Sequence, residues 1–440
     1  MSVFFGTDGL RGVVGQDLTY DLAFKCGNSL SQMINGKAKV LIGRDTRVTG
    51  DYLVNSIATG LMAGGVDVYY LGVIPTSGVA FLTETYGYDY GIVITASHNP
   101  NNFNGIKIFS NKGEKLSEDK ETLIECGFIK TKQVSFDKVG KFYNVKSLVK
   151  KYRNYLLSTV NVDLSGISVV VDASNGAGYN IAPYLFRKLG AKVYTIGCKN
   201  DGININVNCG SLHTERLMKK VVKVKADFGV AFDGDADRLI AVDSLGNIVD
   251  GDSIVMGLAL YFKSCGQLKN NIVVGTSQTN MGIENELKEK GIKLIRADVG
   301  DKYVISQMNK FDAMLGGEQS GHVILRQYMK TGDGILTAIQ LICACINTKR
   351  SLSSFCYSKL YPQINVNVEV KDKLRTLGNE QVSIAIANAG QELAGEGRVL
   401  VRASGTEPKI RIMVEGTNIK VCEGLAEYIK RVILSVEDGV

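Results

Sequence analysis

Apolar positions along the chain fall into short runs bounded by glycine, with stretches at helical spacing between them. Val40-Leu41-Ile42-Gly43 is one such run and has strand character. A polar loop and a helical stretch follow, and then Gly65-Val66-Asp67-Val68-Tyr69-Tyr70-Leu71-Gly72. The same order recurs from Val169-Val170-Val171 to the run Gly190–Gly197. It recurs again from Ile272-Val273-Val274 to Gly291-Ile292-Lys293-Leu294-Ile295 and on to Gly300. Each unit spans about thirty residues, the length of one βαβ crossover. Glycine after the helix is the expected C′ residue. Three diverged units predict three similar α/β domains.

Polar stretches and changes of period set the expected boundaries. Residues 110–140 are rich in Lys, Glu and Ser and read as a hinge region. Leu148, Val149, Tyr152, Tyr155 and Leu156 lie at helical spacing and open a second domain. Asp250-Gly251-Asp252-Ser253 reads as an N-cap leading into a third. After Tyr361-Pro362 the texture changes. Val366-Val368-Val370 alternates as a strand, Arg398–Arg402 and Ile410-Ile412-Val414 are further strands, and Leu425–Leu434 is a closing helix. The expected division is 1–145, 146–250 and 251–362 as α/β domains, with 363–440 as a smaller α+β domain.

Composition narrows the class. At 440 residues the chain has room for two to four domains of roughly 100–200 residues each. With 45% hydrophobic and 22% charged residues it is neither disordered nor a multi-span membrane protein. The apolar stretch Ile335–Ile346 carries Gln340 and falls short of a span. A net charge of +7 is mild for this length; it suits small anionic substrates and does not demand nucleic acid. The nine cysteines include no Cys-x-x-Cys pair, which argues for a reducing cytosol and against structural zinc. The opening residues contain no apolar region of secretory length, so a cytoplasmic location is expected.

Four polar clusters carry candidate chemistry. Thr95-Ala96-Ser97-His98-Asn99-Pro100 follows the apolar strand Gly91-Ile92-Val93-Ile94. A serine at the end of a buried strand sits where α/β proteins place their sites. No Gly-x-Ser-x-Gly elbow occurs, so a serine hydrolase is unsupported. What remains is a serine that carries phosphate, or a polar turn marked by Asn99-Pro100. His98 reads as an orienting neighbour of Ser97 rather than a base. Asp233-Gly234-Asp235-Ala236-Asp237-Arg238 brings three carboxylates together, which repel unless a hard divalent cation neutralises them. An EF-hand fails, because Arg238 stands where the loop glycine belongs and Ser244 where the bidentate glutamate belongs. The alternative is an exposed acidic loop.

Gly316-Gly317-Glu318-Gln319-Ser320-Gly321-His322 lets backbone approach a ligand closely. Its Glu318, Ser320 and His322 suit vicinal sugar hydroxyls; a plain tight loop is equally open. Arg402-Ala403-Ser404-Gly405-Thr406-Glu407-Pro408, with Arg411 beyond, has the makings of a phosphate cradle or of a surface hairpin. Neither a P-loop nor a dinucleotide fingerprint occurs.

Taken together and in this order, the four clusters resemble the α-D-phosphohexomutase superfamily. Within it the chain is most similar to the bacterial phosphoglucosamine mutases. That similarity rests on Phe5-Gly6-Thr7-Asp8-Gly9-Leu10-Arg11-Gly12, Gln319, Val299-Gly300-Asp301-Lys302-Tyr303-Val304 and Arg411-Ile412-Met413-Val414-Glu415. The resemblance implies an α/β architecture of three similar mixed domains plus a smaller C-terminal α+β domain around a central cleft. It implies that Ser97 is phosphorylated and passes its phosphoryl group to a hexosamine phosphate through a bisphosphorylated sugar. Mg²⁺ would be held by Ser97, Asp233, Asp235 and Asp237, with Arg11 and Arg238 at the same phosphoryl group. Glu318 and Ser320 would hold sugar hydroxyls. Arg402, Ser404, Gly405, Thr406 and Arg411 would hold the phosphate that does not react. Lys107 and His322 are the candidate bases. Glucosamine or glucose 1,6-bisphosphate would be the activator. The implied partners are small hexosamine phosphates, with no nucleic acid and no membrane, and first-domain surfaces could pair into a homodimer. The rival readings are a phosphomannomutase or phosphoglucomutase on the same scaffold, a Mg²⁺-dependent phosphatase with an aspartate nucleophile, and a non-catalytic sugar-phosphate binder.

Overall fold

In the computed structural model, which describes residues 4–6, 8–34, 37–404 and 408–438, each apolar run of the repeat is a strand. The strands are Lys39–Arg44 and Asp67–Val73, Ser168–Asp172 and Lys192–Ile196, and Ile272–Thr276 and Lys293–Ala297. The glycines expected after the intervening helices have positive φ: +93° at Gly65, +98° at Gly190 and +65° at Gly291. Left-handed backbone is the conformation in which glycine meets no steric penalty.

The chain forms two compact units, Met1–Val274 with Gly300–Tyr357, and Gly275–Val299 with Ser358–Val440. In the first unit a seven-stranded mixed sheet runs in the order Phe5–Gly6, Gly9–Val13, Phe103–Ser110, Tyr90–Ile94, Lys39–Arg44, Asp67–Val73, Phe142–Asn144. Lys39–Arg44 is parallel to both its neighbours. Tyr90–Ile94 and Phe103–Ser110 pair antiparallel, so the chain reverses directly after Ile94. Helices Tyr20–Gln32 and Gly50–Ala63 pack closely because Gly27 and Gly60 have no Cβ to meet the carbonyls of Ile57 and Phe24.

The stretch expected as a hinge, 110–140, is instead part of this first domain. Helix Glu118–Cys126 buries Ile124 completely, and Ser29 Oγ donates to the Ile124 carbonyl at 2.7 Å. Asn28 donates to the Lys132 carbonyl at 2.8 Å and accepts from the Lys132 amide at 2.7 Å. Solvated composition describes the outer side chains; the backbone is tied down by two polar residues of a distant helix.

A second, five-stranded sheet runs Ile248–Val249, Leu239–Val242, Phe228–Phe232, Ser168–Asp172, Lys192–Ile196. Its central strands are parallel, and Phe228–Phe232 turns back antiparallel into Leu239–Val242. In the third α/β region of this unit, Leu315–Gly317 pairs parallel with the start of Ile272–Thr276 and antiparallel with Val323–Leu325. Asp250 caps helix Gly251–Ser264 by accepting from the Ser253 amide. Helix Gly334–Thr348 is buried along most of its length, which accounts for the apolar stretch at 335–346. No described helix is long and apolar enough to cross a membrane.

The second unit holds a three-stranded antiparallel sheet in the order Gln363–Glu369, Lys409–Gly416, Gly397–Ala403, backed by helices Glu380–Glu392 and Ile419–Asp438. Segment 275–299 is held to it by a buried carboxylate. Glu415 accepts from Arg398 Nε at 2.6 Å and from the Met281 amide at 2.8 Å, while the Arg398 guanidinium donates to the carbonyls of Ser277 and Thr279.

Candidate active site

Ser97 lies just past the carboxyl end of strand Tyr90–Ile94, and Asp233 just past that of Phe228–Phe232. Two parallel-type strand ends thus deliver the hydroxyl and the first carboxylate to one place. Ser97 Oγ donates to Asp233 Oδ2 at 2.6 Å and lies 3.3 Å from His98 Nδ1. Ser97 is buried and has φ +51°, the left-handed region that serine seldom occupies. Burial, with the Arg238 and Arg11 charges behind it, pulls His98 down to about 4. His98 is therefore neutral at physiological pH.

The acidic loop is not exposed. Asp233, Asp235 and Asp237 are all buried, and one carboxylate oxygen from each lies within 4.8 Å of the others. Thr76 Oγ1 donates to Asp235 Oδ2 at 2.5 Å, and the Arg238 amide donates to Asp233 Oδ1 at 3.2 Å. Asp235 Oδ1 and Asp237 Oδ1 have no hydrogen-bond partner although both are buried. Buried carboxylate oxygens left bare are costly. A set of three carboxylates with two bare oxygens fits a hard divalent cation. Burial, and then Asp237 and Asp235 beside it, push the Asp233 carboxyl well above its usual range. Asp237 moves the other way: burial opposes its charge, but Lys107, His322 and Arg238 together hold it well below.

Lys107 stands at the centre of this charge. Its ammonium is 2.8 Å from Asp235, 3.1 Å from Asp8 and 3.5 Å from Asp237, with almost no exposure. Burial disfavours its charge, but the three carboxylates outweigh burial and raise its pKa. His322 sits 3.6 Å from Asp237 and 3.7 Å from Asp301. Burial again opposes the charge, and the carboxylates of Asp237, Asp301 and Glu318 overcome it, raising His322 to about 9. Arg11 pairs with Asp8 and donates to Asn99 at 3.2 Å.

Three members of the site escape a reading of the sequence. Asp8, Lys115 and Asp301 form a chain in which Lys115 bonds both carboxylates. Asp8 and Asp301 lie within the segments that carry the family resemblance, so a signal existed for them. Lys115 lies in the stretch expected to be a hinge and gave none.

In the loop 316–322 the Glu318 carboxylate accepts from the Gly300 amide at 2.9 Å. The loop closes on itself through Glu318 N to His322 O at 3.0 Å and Gly321 N to Glu318 O at 2.9 Å. Leu239 N donates to Gly321 O at 2.9 Å, joining this loop to the strand that leaves the metal loop. A Cβ on Gly321, whose φ is +91°, would lie 2.2 Å from the Leu239 carbonyl, so only glycine allows the approach. Ser320 is exposed. Gln319 turns toward Asp250, with Nε2 at 3.3 Å from its carboxylate, and so meets the N-cap of helix Gly251–Ser264.

The second unit carries the remaining predicted residues. Arg402 and Arg411 are cross-strand partners on adjacent strands. Burial and the neighbouring Arg411 charge lower the Arg402 pKa, the signature of two cations held side by side. Ser404 is buried, and Lys373 Nζ donates to its carbonyl at 2.7 Å. Gly405 and Thr406 lie outside the described residues.

Family models match the chain in four consecutive blocks. These are phosphoglucomutase/phosphomannomutase alpha/beta/alpha domain I at 2–135, domain II at 149–246 and domain III at 250–361, and the C-terminal domain at 364–432. A phosphoglucosamine mutase of Desulforamulus reducens is 43% identical over 441 residues, covering 98% of this chain and 99% of that one. One from Staphylococcus aureus is also 43% identical, over 443 residues and 98% of both chains. Among solved structures, a phosphoglucomutase/phosphomannomutase family protein from Burkholderia thailandensis superposes with a TM-score of 0.84 at 23% identity, covering 100% of this chain and 98% of the other. Aspergillus fumigatus N-acetylphosphoglucosamine mutase, in complex with GlcNAc-6P and magnesium, superposes at 0.67 with 16% identity, covering 100% and 96%. At those identities the likeness carries the fold.

Proposed function

Since the chain belongs to the phosphoglucomutase/phosphomannomutase family, and within it to the phosphoglucosamine mutases, we propose the following division of labour among its residues. The enzyme is an isomerase that interconverts glucosamine 6-phosphate and glucosamine 1-phosphate. Ser97 carries the phosphoryl group. The P–O bond to Ser97 Oγ breaks as a bond forms to the free sugar hydroxyl, giving a bisphosphate. That sugar turns over, and its other phosphate returns to Ser97. Phosphoryl transfer needs positioning and charge neutralisation more than covalent help. Asp233, Asp235 and Asp237, with a Ser97 phosphoryl oxygen, would hold Mg²⁺, which supplies positive charge at the transferring group when bound. Arg11 and Arg238 supply fixed positive charge beside it.

Glu318 and Ser320 hold sugar hydroxyls; Arg402, Ser404, Gly405, Thr406 and Arg411 hold the unreactive phosphate. The hydroxyl proton goes to Lys107 or His322. Both are held protonated at neutral pH by their carboxylate neighbours, so the acting base must first lose its proton. His322, nearer neutrality, is the better candidate.

The observation that carries this reading is a buried serine hydroxyl 2.6 Å from an aspartate whose two neighbouring carboxylates each leave an oxygen bare. Priming by glucosamine or glucose 1,6-bisphosphate, a cytoplasmic location and a place ahead of UDP-N-acetylglucosamine and cell-wall synthesis belong to the same proposal. So does the division into domains 1–145, 146–250, 251–362 and 363–440. Exposed Ile129, Phe136, Val139 and Phe142 on the first domain favour a homodimer.

Comparing kcat/KM for glucosamine 1-phosphate, glucose 1-phosphate and mannose 1-phosphate, with Mg²⁺ and bisphosphate priming, tests the substrate. A strong preference for the amino sugar is expected. A preference for glucose or mannose phosphate would overturn the assignment while leaving Ser97 and the metal loop in place.

A further inference from the structure

The loop that presents Ser97 is gripped from two sides by groups that touch neither its hydroxyl nor the three aspartates. Arg47 is fully buried directly after strand Lys39–Arg44. Its Nε donates to Asp45 at 3.0 Å, and Asp45 also accepts from the Arg47 amide at 2.9 Å and from Thr95 Oγ1 at 2.7 Å. The rest of the guanidinium is spent on backbone carbonyls: Nη1 on Pro100 and Phe103, Nη2 on Ser97 at 3.0 Å and Asn99 at 2.9 Å. Asn206, from the second α/β domain, reaches two of the same carbonyls. Its Nδ2 donates to Ser97 O at 2.8 Å and to Asn99 O at 3.0 Å.

We infer that Arg47 and Asn206 are positioning residues that lock Ser97 in its left-handed backbone conformation and so aim its oxygen for phosphoryl transfer. The inference rests on Ser97 as the phosphoryl carrier. Serine holds φ +51° only where its surroundings over-determine it. Here the carbonyls of residues 97 and 99 each accept from both a guanidinium and an amide, which fixes the Ser97–His98 and Asn99–Pro100 peptides. Released, Ser97 would relax toward negative φ and carry its Oγ away from Asp233. Neither gripping residue touches the residues proposed to bind the sugar or its second phosphate. Loosening the grip should therefore slow transfer and expose the phosphoryl group to water, and leave substrate binding alone.

The test uses the full chain with Asn206→Ala, Asn206→Asp and Arg47→Lys. Asn206→Asp keeps the side chain's shape and turns its donor into an acceptor facing two carbonyls. Arg47→Lys keeps the charge against Asp45 and loses the planar fork. Mass spectrometry first establishes phosphate on Ser97 of the unaltered protein. Kinetics then give kcat, KM and inorganic phosphate released per turnover, and thermal melts report folding. The expected result is a kcat lower by ~10-fold to 100-fold, the range a small misplacement of a reacting group produces, with KM little changed and more phosphate lost to water. Unchanged kcat and unchanged phosphate loss in the Asn206 variants would overturn the inference. So would a fall in kcat that matches the fraction unfolded. Absence of phosphate on Ser97 of the unaltered protein would overturn the carrier reading as well, so the two failures are distinguishable.

Discussion

His98 and His322 are the same side chain in the same site, yet one is held near 4 and the other near 9. Burial lowers both; His98 then faces the Arg238 and Arg11 charges, while His322 faces Asp237, Asp301 and Glu318. For His322 the raised value has a consequence for stability. A group bound more tightly to its proton in the folded state stabilises the fold wherever that proton is present. The contribution is complete below the ordinary histidine value of 6.5 and is lost as pH rises through about 9. Chemical denaturation of the protein and of His322→Gln at a series of pH values should therefore give a difference that shrinks from pH 6.5 to pH 9. A difference that is flat across that range would contradict the carboxylate cage around His322. Ser97 and the three aspartates were legible as residues because each cluster is contiguous in the chain. Lys115 was not, because its two carboxylate partners are Asp8 and Asp301, each more than a hundred positions away. Arg47 had a weak signal in Arg44-Asp45-Thr46-Arg47, a charged run at a strand's carboxyl end.

The metal loop is a hairpin connection closed at its base by Phe232 opposite Leu239. Closure forces residues 233–238 into a tight curl, with Ala236 at φ +58°. A Cβ in that region is disfavoured by roughly 1–2 kcal/mol, and the curl brings the three carboxylates together. From outside the hairpin, Thr76 and Lys107 hold Asp235 in place. A cation that binds this element only when folded raises its thermal stability by mass action. Mg²⁺ is expected to raise the melting temperature of the protein and to raise that of Asp235→Asn much less; removal by a chelator should abolish turnover. An equal rise in both proteins would mean that the ion binds elsewhere. At this scale the sequence was most readable. Strand, helix and C′ glycine recur in each repeat because they answer to local sterics and period. The stretch 110–140 misled, because the tethers from Asn28 and Ser29 that hold it come from a distant helix.

For the whole molecule, four family domains matched in order account for the length of the chain. The hydroxyl, the carboxylates and both candidate bases lie in one compact unit, Met1–Val274 with Gly300–Tyr357; Arg402, Ser404 and Arg411 lie in the other. Their presence was legible in four motifs. The contact between the Gln319 side chain and the N-cap residue Asp250 was not, because the two lie far apart in the chain. The central claim is that Ser97 carries the phosphoryl group between the two ends of the sugar. The most direct measurement loads Ser97 with radiolabelled phosphate and mixes the protein with glucosamine 6-phosphate and Mg²⁺ in a single turnover. Label is expected to move from Ser97 into the bisphosphate and glucosamine 1-phosphate, and Ser97→Ala, still folded, should take up none. Label that stays on the protein, or leaves only as inorganic phosphate, would contradict the claim.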